Sequence, residues 1–185
     1  MTIQFNEDMH PDVLIRIGQA VAQNMADLAK AHGSGSINAV AWHSRNLLEL
    51  AMWSEHCAKN EENARQFVLD AARDACDALN IPDEIVFAAS VKDTRQELID
   101  KAQSDGFDIE EKYTAVSKVA KQLGHSDIFR TLNKLLSKFA HPTAMLILYN
   151  PTDSSLVSLR GKFFALGLHL GQKALTFLPK DARVS

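Results

Sequence analysis

The sequence predicts an all-α fold, an antiparallel bundle of six or seven helices in one domain over residues 1–185, and three observations carry that prediction. Apolar residues recur at spacings of three and four, glycine and proline are scarce and cluster where helices would stop, and capping residues precede several of the apolar runs. In the first segment Leu14, Ile17, Val21, Met25 and Leu28 keep helical spacing, Pro11 suits a first turn, and HGSGS (His32 to Ser36) ends the run. A second helix is expected from about Ser36 to Ala58. The polar break KNEEN separates it from a third, about Glu61 to Leu79, with Phe67, Val68, Ala71, Ala72, Ala75 and Leu79 on one side. Alanines at those positions imply close helix approach.

Asn80, Ile81 and Pro82 break the chain. DEIVFAASVKDTRQELIDKAQ then predicts a fourth helix, with Val86 to Val91 apolar enough to blur its start and Asp105 and Gly106 at its end. Asp108 is placed to cap IEEKYTAVSKVAKQL, Glu110 and Glu111 suit the positive end of that helix, and Gly124 stops it. Ser126 is expected to cap a sixth helix. That helix should close at His141, because a residue before proline avoids helical geometry. MLILYNP reads as a helical continuation or as a short extended piece. Ser154 or Ser155 begins the last helix, which holds the most apolar stretch, Phe163 to Leu178. It is expected to be central and buried nearly all round, with Gly167 and Gly171 admitting a neighbouring backbone.

With 185 residues and 46% hydrophobic content the chain can bury one well-formed core. A net charge of −3 and a pI near 6.1 leave no global cationic field, so RNA or a nucleotide would need a local basic patch. Phe163 to Leu178 falls short of the roughly 20 apolar residues of a membrane span, and MTIQFNEDMHPDV lacks the basic and apolar regions of a secretory signal. No membrane role is expected. Cys57 and Cys76 show neither disulfide nor metal-ligand spacing, which fits a reducing, cytoplasmic setting. There is no glycine-rich phosphate loop, no HExxH and no pair of ExxH motifs, so neither a metal nor a cofactor is expected. Cys57 beside His56 reads as a small buried thiol rather than half of a ligand pair.

Two polar stripes remain. On the sixth helix Phe129, Leu132, Leu135, Leu136 and Phe139 gather on one side, and Arg130, Lys134, Ser137 and His141 gather opposite. Such a stripe is either the wet face of an amphipathic helix or a histidine held beside cations as a general acid/base at a phosphate. On the second helix Trp42, Arg45, Glu49, Trp53 and His56 share a side, with Arg45 and Glu49 an i, i+4 pair. Two tryptophans on one face imply cover, by the bundle or by a partner subunit.

RNLLELAMWSEHCAKNEENARQF, followed by KYTAVSKVAKQLG and by LLSKFAHPTA, resembles a bacterial branch of helical proteins related to the HEPN (higher eukaryotes and prokaryotes nucleotide-binding) superfamily. The similarity spans roughly Arg45 to Met145, and its most specific piece is Ser137 four residues before His141–Pro142. The resemblance implies an antiparallel bundle, often dimeric, in bacterial toxin and antiphage systems whose active members cleave RNA. Those members place an arginine four to six residues before a histidine. Counted back from His141, these spacings fall on Leu136, Leu135 and Lys134. Lysine supplies charge without the guanidinium fork, and Arg130 lies three turns away. The expectation is a non-catalytic interaction or sensor module, working as a homodimer or with a protein partner. The alternative is a metal-independent ribonuclease with a degenerate site at His141, Lys134, Arg130 and Ser137.

Overall fold

A computed structural model describes residues 9–82, 84, 88–104, 113–141 and 153–180. Among these the chain forms seven helices and no strand: α1 (Met9–Gly33), α2 (Ile37–Lys59), α3 (Glu61–Ala78), α4 (Ala88–Ser104), α5 (Val116–Gln122), α6 (Ser126–Ala140) and α7 (Ser154–Thr176). The all-α bundle expected from periodicity is therefore what forms.

Tight turns fix the first three helices. Gly35 takes φ +82°, a conformation glycine adopts without the penalty a Cβ would bring, and Ser36 caps α2 by accepting from the Ala39 N–H. Asn60 alone joins α2 to α3. Its side chain accepts from the Asn63 N–H at 2.8 Å, while the Asn63 amide donates to the His56 carbonyl at 2.8 Å, so one residue ends a helix and caps the next.

The hub is α2, which packs against α1, α3, α5, α6 and α7. Val40, Ala41, Leu47, Leu48, Ala51 and Met52 are buried along it. The α7 glycines do sit at a close approach, but to side chains rather than to a neighbouring backbone: a Cβ on Gly167 would lie 2.6 Å from Leu28 Cδ2 and from Ser44 Oγ, and one on Gly171 would lie 2.7 Å from Met25 Sδ. Ser44 donates to the Phe163 carbonyl at 2.9 Å, which satisfies a buried hydroxyl at the same crossing.

Several expectations are corrected. The last helix is not buried all round, because Lys162, Ala165, His169, Gln172 and Thr176 form an exposed stripe at helical spacing. Its other residues pack on α1 and α2 and, through Phe163 against Phe139 with ring centroids 5.1 Å apart, on α6. On α3 the expected face is met in part: Val68 and Ala72 are buried and Phe67, Ala75 and Leu79 partly so, but Ala71 is exposed, and Leu69, Asp70, Arg73 and Cys76 are buried as well. α5 begins only at Val116, since Tyr113–Ala115 offer no apolar group that reaches the core at helical spacing, and Ala115 caps it without a side-chain bond. Asp108, Glu110, Glu111, Asp105, Gly106, Val86 and MLILYNP lie outside the described residues. His125, not Ser126, is the N-cap of α6, because its imidazole is drawn to Glu55 Oε2 on α2 at 2.9 Å and Ser126 is already helical. α6 does end at His141, whose N–H reaches the Ser137 carbonyl. Leu135, expected on the apolar side, is 41% exposed, because α6 meets the core through the narrower strip of Phe129, Leu132, Leu136 and Phe139.

Candidate binding cleft

Two adjacent α2 residues show how this helix serves two surfaces. Ser44 faces α7, and Arg45, one residue on, faces α6, where its Nε donates to Asn133 Oδ1 at 2.9 Å. One turn later Glu49 Oε1 accepts from Arg45 Nη2 at 2.7 Å, the pairing its spacing predicts. Burial pushes the Glu49 carboxyl above its ordinary range, and the Arg45 charge only partly opposes this. Next comes Trp53, tilted against Phe67 of α3 with ring centroids 4.8 Å apart. These groups form one wall of a cleft of about 480 Å³.

α3 supplies the opposite wall through Asp70 and Asp74, one turn apart. Asp70 is only 5% exposed. Its Oδ1 accepts from Gln66 at 2.9 Å and lies 3.4 Å from Arg73 Nη1, whereas its Oδ2 has no hydrogen-bond partner. Leaving a buried acceptor unpaired costs about 1–3 kcal/mol. The rim is formed by Tyr113, 47% exposed, with Thr114 and Ser117, and Phe129 of α6 closes the floor. The volume falls within the range of small-molecule sites, and the mixture of aromatic faces with a few convergent polar groups is of that kind.

The Cys57 thiol is pushed up to about 12 by burial, so it is a poor nucleophile at neutral pH. His56, 8% exposed and edge-on to Trp53 at 5.8 Å, is held below the usual histidine range, first by burial and then by Lys59, with Asp70 opposing. Among the described residues, no three His, Cys, Asp or Glu side chains converge to hold a metal ion, and no helix is long and apolar enough to cross a membrane.

The two sequence-derived stripes meet at one point. The His141 ring stands edge-on to Trp42 at 6.1 Å, and Trp42 remains 42% exposed. Arg45, Glu49 and Trp53 line the cleft, and His56 is buried against Trp53 without lining it. On α6 the exposed Arg130 pairs with Asp127 of its own helix at 3.0 Å, Lys134 is exposed, and Ser137 is partly buried. Arg130 and His141 are not brought together, being separated by about 16 Å of helix. Asp70, Asp74, Tyr113 and Asn133 escaped the reading of the sequence. For Asp70 and Asp74 the signal is the Gln66, Asp70, Arg73 and Asp74 spacing on a helix whose apolar residues are mostly alanine, and Tyr113 and Asn133 carry none.

No family model matches the chain, and no curated protein or solved structure matches it either.

Proposed function

We propose that this protein is a non-catalytic binding module, a sensor or interaction domain of HEPN-like kind, whose ligand seats in the cleft between α2, α3, α5 and α6. One observation carries the reading: Asp70, almost wholly buried in the cleft wall, keeps a carboxylate oxygen without a partner. A fold retains such a cost most readily where a bound group removes it. The α6 stripe supports binding over chemistry, because Arg130 is engaged by Asp127 and His141 packs on Trp42 instead of facing a second catalytic group. The resemblance supplies the setting, a cytoplasmic component of a bacterial toxin or antiphage system acting as a homodimer or with a protein partner.

The test is incubation of the purified chain with a fluorescently labelled RNA. Intact RNA is expected with the parent and with His141→Ala alike. RNA degradation that His141→Ala abolishes would overturn the module in favour of a metal-independent ribonuclease using His141, Lys134, Ser137 and Arg130.

A further inference from the structure

We infer that the cleft takes an organic cation, a ligand whose primary ammonium or guanidinium group pairs with Asp70 Oδ2 while its carbon body lies against Trp53 and Phe67. This deepens the binding reading above and rests on it.

Among the described residues, three carboxylates, Glu49, Asp70 and Asp74, line the cleft with a single guanidinium, Arg45. That guanidinium is already committed, with Nε on Asn133 and Nη2 on Glu49. The Arg45–Glu49 pair therefore cancels itself, and the surplus lies on the α3 wall. Arg73, 3.4 Å from Asp70 Oδ1, offsets part of it without reaching Oδ2. A buried carboxylate oxygen with no donor favours a ligand that brings a charged N–H, which forms the stronger class of hydrogen bond. The Trp53–Phe67 pair adds an aromatic surface on which an alkyl chain or a flat guanidinium can rest, and which attracts a cation. An anionic head group would meet the surplus carboxylates and be repelled.

Calorimetric titration of the full chain tests this. The probes are agmatine and spermidine as free cations, and the capped peptide acetyl-Gly-Arg-Gly-amide as a side-chain source; AMP, adenosine and magnesium chloride are controls. Saturable binding of a cationic probe is expected, about tenfold weaker in Asp70→Asn and about threefold weaker in Asp74→Asn. Asp74 is exposed, so its variant keeps the test decisive should Asp70→Asn fail to fold. With Trp42→Phe, the remaining Trp53 must report the same binding by fluorescence. Tighter binding of the peptide than of the amines would name a partner's basic side chain as the source, and the reverse a diffusible amine. Cations that bind no better than AMP or adenosine, or that magnesium displaces, would overturn the inference. If AMP or adenosine binds instead and Asp70→Asn weakens it, the cleft reading survives and only the cation fails. If no probe binds, the cation inference falls, and the RNA assay decides the module by itself.

Discussion

The two sides of α2 differ as a closed joint differs from an open one. Toward α1 and α7 it presents Val40, Ser44, Leu47 and Ala51, all fully buried, and meets glycines that leave no room for a Cβ. Toward α3, α5 and α6 it presents Arg45, Glu49 and Trp53, and the space beyond them is the cleft. The first side is close-packed, so changes of volume should dominate its mutational response. The second holds ionisable groups part-way out of water, so changes of charge and pH should dominate there. One helix thus separates the part that sustains the fold from the part that can bind.

The largest expected break of this contrast is Leu170→Asp. Leu170 is 6% exposed on the α7 face, and an unpaired carboxylate there should cost more than about 4 kcal/mol and abolish soluble expression. Normal folding of this variant would remove the claim that the α7 side sustains the fold. Next is Gly167→Ala. Its new methyl would sit 2.6 Å from Ser44 Oγ, which is held in place by its bond to Phe163, so a loss of about 1–3 kcal/mol is expected. At about 2–4 °C per kcal/mol for a chain of this size, a thermal melt reads it directly.

Smaller, and on the other side, is a pH effect through His56. Its folded-state value lies below the ordinary histidine value, chiefly because burial disfavours the charged ring. The stability it contributes is present above the ordinary value of 6.5 and is lost as pH falls through the folded value. Melting temperature should therefore drop on acidification below pH 6.5, and His56→Gln should flatten that slope. An unchanged slope would assign the acid sensitivity to other groups. The smallest effect on stability belongs to Arg130→Glu with Lys134→Glu, two exposed positions expected to stay within about 0.5 kcal/mol of the parent. The same double variant should lower self-association, read as mass in solution, if the α6 stripe meets a second copy. An unchanged mass would reduce the stripe to a solvated face.

Much of the fold was legible because apolar spacing marks α1, α2, α6 and α7, with a serine cap at α2 and a glycine turn after α1 agreeing with it. Gly167 and Gly171 could even be assigned to a close crossing, since two glycines one turn apart in an apolar helix have few other uses. The α3 face was misread for a physical reason. Alanine marks a buried position only weakly, and Asp70 and Arg73, an i, i+3 pair, are buried by the packing of α3 onto its neighbours rather than by their own chemistry. The cleft was less legible still. Trp53, Arg45 and Glu49 could be grouped on one face of one helix, but Asp70, Tyr113 and Asn133 join them only through the tertiary arrangement of α3, α5 and α6. The expectation that the last helix is buried nearly all round failed on the same ground: hydrophobicity along a segment measures how much surface can be buried, not whether every side of it is covered.

Cys57 sits at the C-terminal end of α2, wholly buried, one residue after His56. Burial pushes its thiol up to about 12, so little thiolate forms at pH 8, and that sulfur is sealed from solvent. A maleimide therefore reacts at this sulfur only after the α2–α3 corner has transiently come apart. Its labelling rate in native buffer becomes a stopwatch for that opening, and a ligand that braces the two helices should slow it in proportion to its occupancy.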